Sequence, residues 1–226
     1  MKHTTTNHHY AELHADNIYH IYNRTNNREL LFQSDDDRKF FLKRYQKYIS
    51  PCADTYAFSL LPNHFHFLIK VKNQGEIIAW IENLNLKDRT KTQKALLTAD
   101  IESRTVHKVL ENQFLRLFTS YAVVFNDRHQ RDGNLFNRPF KRIEVENEGY
   151  FTYLIYYIHF NPQKHGIVSD FTSYYWSSYR IFLSSAPTHL FRKEVLEWFG
   201  GLEAFIQFHR MDEGFEKISG LIVEDE

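Results

Sequence analysis

The sequence predicts an α+β domain in which helices cover an antiparallel β-sheet. Segments of alternating aromatic and β-branched residues are interspersed with segments whose apolar residues recur every three or four positions. Two of the strand-like segments are separated only by a Pro-Asn pair, which favours a β-hairpin and therefore antiparallel pairing. The full order is β, α, β, β, α, β, α, which suits a sheet with helices packed on it.

The composition supports one substantial core. The chain has 226 residues, of which 42% are hydrophobic and 16% aromatic, with only 8 Gly and 5 Pro. Its single cysteine, Cys52, excludes an internal disulfide and a thiolate metal cluster. The first ten residues are polar and no stretch approaches the length of an apolar membrane span, so we expect a soluble, cytoplasmic protein.

The first half of the chain contains three predicted strands and one helix. Residues 19–24 alternate and form the first strand. Ser34 and the three aspartates after it are typical of a helix start, and the aromatic spacing that follows predicts a helix over 35–49. Residues 55–61 and 64–71 form the hairpin. In its second strand Phe65 faces the core with every second residue, and the histidines face the other side.

The second half is less regular. Residues 72–104 are polar and contain one short helix near 76–82, so we expect a mobile insertion. Apolar residues at spacings of three and four predict a long amphipathic helix over 105–125. Residues 141–146 form a fourth strand, followed by a helix that Asn147 caps and Pro162 terminates. This order is that of a ferredoxin-like or RNA-recognition-like fold, with a helical, aromatic-rich extension after it.

The first candidate site is the pair His64 and His66. Residues two apart on a strand point to the same side, so both imidazoles could hold one divalent ion. The chain has 13 His, however, and random placement gives roughly 0.7 such pairs. Taken alone, such a pair is more often two half-buried or surface histidines than a metal site.

The second candidate site lies on the helix over 150–161. Tyr153, Tyr157 and Asn161 follow one another at steps of four and share one helical face. That face could present a tyrosine nucleophile beside an oxygen ligand, although a phenol needs a neighbouring cation or base to ionise near neutral pH. Aromatic stripes are also common in cores, and Asn before Pro commonly ends a helix.

The chain is neutral overall, with 28 Lys and Arg against 28 Asp and Glu, but the segment 128–142 is locally basic. It combines cationic side chains with two phenylalanines, which suits a groove that follows phosphates and stacks unpaired bases. A solvated charged loop is the alternative. The residues predicted to bind DNA are Arg128, Arg131, Phe136, Arg138, Phe140, Lys141 and Arg142.

Five ordered motifs resemble the single-tyrosine HUH transposases, especially the REP-associated tyrosine transposases. They are Tyr-His-Ile-Tyr-Asn-Arg at 19–24, Leu-Pro-Asn-His-Phe-His at 61–66, Gly-Asn-Leu-Phe at 133–136, Tyr-Ile-His-Phe-Asn-Pro at 157–162 and Trp-Ser-Ser-Tyr at 176–179. Leu61 stands where the family usually has Met, and the connection over 73–104 is long.

The resemblance implies a metal-dependent, single-stranded DNA endonuclease and strand transferase. His64, His66 and Asn161 would then be ligands of Mg²⁺ or Mn²⁺, and Tyr157 would be the nucleophile that forms a 5′-phosphotyrosine intermediate. The partner implied is hairpin or single-stranded DNA of REP-like, palindromic sequence. The implied fold is the ferredoxin-like HUH nuclease fold, with a catalytic domain over 1–170 and an extension over 171–226 packed on it.

Two alternative functions and the oligomeric state remain open from the sequence. The chain could be an RNA-recognition-like binding module without catalysis, which would bind hairpins regardless of chelator. It could be a replication initiator of the HUH class, although such enzymes often carry larger metal motifs. It could act as a monomer or as a homodimer.

Overall fold

A computed structural model describes residues 9–100, 105–146 and 148–210. It contains a four-stranded antiparallel sheet, β1 Ile18–Arg24, β2 Ala53–Leu60, β3 His64–Val71 and β4 Lys141–Glu144. The strand order is β2-β3-β1-β4, the order of a ferredoxin-like sheet. The predicted α+β class and antiparallel sheet are confirmed.

Two helices cover the first face of the sheet. Helix α1 is Asp35–Tyr48, and it begins with a capping box in which Ser34 and Asp37 each accept a hydrogen bond from the other's backbone amide. The long helix, which we number α4, is His107–Arg128 and packs beside α1. Phe41 of α1 contacts Phe65 and Phe67 of β3, so the predicted core face of β3 is confirmed.

The connection between β3 and α4 is helical rather than the mobile insertion that its polarity suggested. Helices α2, Gln74–Glu82, and α3, Lys91–Thr98, each begin with a capping box. Ile77 and Ile81 of α2 and Leu96 of α3 are buried in the core under α4. The prediction was wrong because a few apolar residues on capped helices suffice to anchor a mostly polar segment. Residues 101–104 lie outside the described part.

Helix α5, Glu148–Lys164, covers the second face of the sheet. The prediction that Pro162 ends this helix was wrong: the His165 amide still donates to the Asn161 carbonyl at 3.0 Å. The helix continues instead to Lys164, and Gly166, whose φ is +66°, turns the chain away after it. Gly166 donates to Gln163 and Ile167 donates to Pro162, both at 2.9 Å, which is the Schellman pattern that favours glycine. Asn147, the predicted cap, lies outside the described residues.

The chain after α5 packs on this helix and on the edge strand β2. A 3-10 turn at Phe171–Ser173 is followed by α6 Tyr179–Phe182, α7 Arg192–Phe199 and α8 Leu202–Arg210. Backbone hydrogen bonds from Leu60 to Trp176 and from Ser178 to Phe58 cover the exposed edge of β2. Among the described residues, none of the helices is both long and apolar enough to span a membrane.

Candidate functional site

The predicted site lies on the sheet face that α5 covers. His64 and His66 alternate with the core phenylalanines of β3 and so point toward this helix. Residues directly opposite in neighbouring strands share a face, which places Tyr22 of β1 and Ser59 of β2 beside His66. Arg24 lies beside His64 in the same way.

Hydrogen bonds hold both imidazoles. Nδ1 of His64 lies 2.6 Å from Oδ1 of Asn63, an atom that can only accept, so His64 donates from Nδ1. Nδ1 of His66 lies 2.9 Å from Nε2 of His20. The centroids of the two predicted ligand rings are 5.1 Å apart. His66 is fully buried, whereas His64 is half-buried at the rim.

Helix α5 crosses over the histidine pair. The Tyr157 ring lies edge-on to His66, with centroids 5.9 Å apart. Two turns later the His165 ring lies 5.0 Å from that of His64. Asn161 is midway between these two contacts, so the helical repeat places it over the space beside the histidines.

Asn161 is unusual because its side chain is fully buried while neither amide atom has a hydrogen-bond partner among the described residues. Most buried polar side chains have at least one partner, and leaving one unsatisfied costs about 1–3 kcal/mol. The buried amide oxygen of Asn161 is therefore able to coordinate a cation or accept a hydrogen bond from a bound molecule.

Lys164 is a residue that the sequence reasoning missed. Its Nζ lies 3.4 Å from the Tyr157 hydroxyl and 5.0 Å from the ring centroid. The sequence signal was its separation of seven residues from Tyr157, two helical turns, which puts both on one face. Tyr157 itself is 2% exposed, and the exposed Lys164 side chain lies against it.

Two other tyrosines of α5 contact different parts of the protein. The ring of Tyr153 lies 5.1 Å from Phe208 of α8, and Tyr156 stacks on Phe160. His159, as expected from its offset of two from Tyr157, points off the site face. It bonds to Ser178 and His209, and burial holds its pKa well below the usual range for histidine.

Much of the predicted basic groove is committed to internal contacts. Arg128 pairs with Asp37 at 2.6 Å and Arg131 pairs with Glu29 at 2.5 Å. Arg142 is 7% exposed, and its guanidinium donates hydrogen bonds to the carbonyl of Ala11 and to the carboxylate of Glu111. These three arginines join the basic segment to the rest of the domain.

Phe136 and Phe140, which were predicted as base-stacking platforms, are mostly buried. They are 6% and 9% exposed, and both rings contact Phe118 of α4. The hydrophobic effect favours burying such rings when a neighbouring helix offers an apolar face, and the sequence could not reveal that face.

Two residues of the basic segment keep their prediction. Arg138 is exposed. Lys141 of β4 lies opposite Tyr22 and therefore shares the sheet face of the histidines. With Arg24 and Lys164, it brings cationic side chains around this face.

The described residues contain no group of three His, Cys, Asp or Glu side chains arranged to hold a metal ion. Any ion at this face would therefore take two imidazoles and an amide oxygen from the protein. That donor set is sparse, and water or substrate oxygens would have to complete it.

No protein-family model matches the sequence, and no curated protein matches it either. A search of solved structures finds a REP-associated tyrosine transposase bound to a REP hairpin. The two chains are 14% identical with a TM-score of 0.53, over 79% of this chain and 87% of that one. At this identity, the likeness shows that the two chains share a fold.

Proposed function

We propose that this protein is a metal-dependent, single-stranded DNA endonuclease and strand transferase that acts through Tyr157. The observation that carries the proposal is that α5 and the turn after it contact the histidines of β3 through Tyr157 and His165, on either side of Asn161. Nucleophile, buried amide and imidazoles come from segments some ninety residues apart and meet at one face.

His64, His66 and Asn161 would hold the metal. The fit rests on the side-chain amide of Asn161, which has no hydrogen-bond partner in the described part of the chain, and on the His64 Nδ1 hydrogen bond, which directs ligation to Nε2. Two imidazoles suit Mn²⁺ better than Mg²⁺, which prefers oxygen ligands. A bound ion would supply Lewis-acid stabilisation to the phosphate.

The chemistry is a transesterification. The hydroxyl oxygen of Tyr157 attacks the phosphorus, the bond from phosphorus to the 3′ oxygen breaks, and the phenol proton is transferred through solvent to the leaving 3′ oxygen. The product is a 5′-phosphotyrosine and a free 3′-OH. Because one phosphodiester replaces another, a second 3′-OH can reverse the step and join another strand without ATP.

Lys164 would serve this step as the cation beside the phenol. Its ammonium group is 3.4 Å from the hydroxyl, where it stabilises negative charge that develops on the oxygen. Because Tyr157 is 2% exposed, the substrate phosphate must come in alongside the Lys164 side chain to reach the hydroxyl. An anionic substrate is suited to do so because it offers the ammonium group a new partner.

The DNA partner we propose is a hairpin with single-stranded flanks. Support comes from the solved structure of related fold, whose transposase is bound to a REP hairpin. Arg24 and Lys141, on the same sheet face as the histidines, would contact the phosphates on the approach to the site.

The test compares Tyr157→Phe with Tyr153→Phe, the same change on the same helix at a ring that packs on Phe208. Each variant is incubated with labelled hairpin DNA and Mn²⁺ and run on a denaturing gel. Tyr157→Phe should abolish the covalent adduct while hairpin binding is retained, and Tyr153→Phe should still form it. Adducts in Tyr157→Phe would refute the assignment of the nucleophile.

A nucleic-acid-binding module without catalysis is the second candidate, and the burial of Tyr157 and His66 favours it. A protein of this kind would bind the hairpin equally in chelator and in Mn²⁺, and the wild type would form no adduct. The same gel experiment therefore separates the two functions.

A further inference from the structure

His20 is a buried histidine beside the proposed metal site, and the proposed chemistry does not use it. It is 1% exposed and lies on β1, on the same sheet face as His66. Its Nε2 is 2.9 Å from Nδ1 of His66, and the two rings lie nearly parallel, at 21° to each other, with centroids 5.1 Å apart.

The surroundings of His20 fix its ring. Tyr22 stacks on it with centroids 4.9 Å apart, and Tyr157 lies edge-on at 6.3 Å. The Tyr22 hydroxyl is in turn 2.9 Å from Nδ1 of His9. A ring held on several sides cannot easily rotate, so its contact with His66 is a fixed feature of the site.

The direction of the His66 hydrogen bond decides what His66 can do. A neutral imidazole carries its proton on one nitrogen and offers a lone pair on the other. If Nδ1 of His66 donates to His20, Nε2 of His66 is the ligating atom. With the opposite direction, Nδ1 of His66 accepts and Nε2 bears the proton, which would prevent ligation through Nε2.

We propose that His20 is a positioning residue for His66. It accepts the Nδ1 proton and so holds the tautomer and the ring plane in which His66 presents Nε2 to a divalent metal ion. This inference rests on the proposed metal site. It assigns His20 the supporting role that carboxylates and backbone carbonyls commonly have at metal-bound histidines.

Two variants separate positioning from packing. His20→Phe keeps an aromatic ring in the stack and removes the acceptor, whereas His20→Gln offers an amide oxygen that can accept from Nδ1 of His66. His64→Ala removes a proposed ligand, and His189→Gln changes an exposed histidine on the extension. Circular dichroism and thermal melts establish that each variant is folded.

The first measurement is the ¹⁵N spectrum of the histidine rings without metal, which distinguishes protonated from unprotonated ring nitrogens. The wild type should show His66 protonated on Nδ1, and His20→Phe should lose this preference. Protonation of His66 on Nε2 in the wild type would overturn the inference whether or not metal binds.

The second measurement is Mn²⁺ affinity, taken from the loss of the free-ion electron paramagnetic resonance signal. His20→Phe should weaken binding by about 10–100-fold, and His20→Gln should recover it to within roughly threefold of the wild type. Wild-type Mn²⁺ affinity in His20→Phe would overturn the inference. It would also be overturned if His20→Phe and His20→Gln both lost Mn²⁺ binding as completely as His64→Ala does. That result would make His20 a metal ligand. Failure of the proposed site looks different: wild type and His64→Ala would both bind no Mn²⁺, and the inference would fall with it.

Discussion

A buried pair of histidines connects α8 to the sheet and should make the fold sensitive to acid. Nδ1 of His209 donates to the Phe205 carbonyl at 2.8 Å, and Nε2 of His209 lies 2.9 Å from Nδ1 of His159. Nε2 of His159 is 2.7 Å from Oγ of Ser178, which accepts from the Phe58 amide at 2.9 Å. The chain of bonds is complete only when each ring carries one proton, on Nδ1.

Burial sets the pKa of both rings below the ordinary value. Desolvation lowers the pKa of His209 from 6.5 to about 4, and it holds the pKa of His159 well below 6.5, with the nearby His209 adding to the effect. The unfolded chain therefore binds more protons than the folded one between about pH 6.5 and about pH 4. This contribution to stability is fully present above 6.5 and is lost as the pH falls through that window.

The magnitude follows from these pKa values. At about pH 5, an unfolded histidine of pKa 6.5 is almost fully protonated, while His209 is mostly neutral in the folded state. The free energy of unfolding should fall by about 2 kcal/mol for His209 alone, with a slope approaching 1.4 kcal/mol per pH unit. His159 shifts in the same direction and should make the fall steeper.

Urea unfolding followed by tryptophan fluorescence and circular dichroism, from about pH 7.5 to about pH 4.5, measures this dependence. The perturbation is His209→Phe, which removes one titrating ring and keeps the aromatic packing of α8. His189→Gln is the control, because this exposed histidine lies outside the buried chain. His107, whose pKa burial also lowers, is present in every variant and so contributes equally to each curve.

His209→Phe should be less stable at neutral pH, by about 1–3 kcal/mol, because Nδ1–H of His159 loses its acceptor. As the pH falls, the free energy of unfolding of His209→Phe should decrease less steeply than that of the wild type, because up to one proton fewer is taken up on unfolding. Equal slopes in wild type and His209→Phe would refute the reasoning, since the buried pair would then not be the source of the acid sensitivity.

Two further predictions follow from the charged residues. Asp37→Asn should lower the free energy of unfolding by about 2 kcal/mol in urea titrations, because the 1% exposed carboxylate joins the start of α1 to Arg128, the last residue of α4, and to His129 just after it. A loss below about 0.5 kcal/mol would contradict this. Lys141→Gln should weaken hairpin binding in fluorescence anisotropy and reduce the salt slope by about 1, while Arg131→Gln, whose guanidinium pairs with Glu29, leaves the slope unchanged. Equal slopes in the two variants would mean that the histidine face of the sheet is not the DNA-facing side.

Local patterns predicted the elements of the sheet well. The alternation of β3 separated its core face from its histidine face, and Ser34 marked the start of α1 to the residue. These features depend on the strand period of two and on capping, both of which are local in sequence. The prediction that the helix ends at Pro162 was wrong because proline removes only one backbone hydrogen bond. The sequence alone does not show that the turn at Gly166 stabilises the helix beyond this point.

The sequence by itself determined the α+β class, the hairpin and two faces, one with His64 and His66 and one with Tyr157 and Asn161. Only the tertiary structure decided that these faces meet, because the helix and the strand are far apart in sequence and their contact depends on how α5 packs. It also showed that Phe136 and Phe140 are mostly buried, that Lys164 lies against Tyr157 and that His20 lies against His66. Burial and hydrogen-bond partners are properties of packing between distant segments, and no local pattern encodes them.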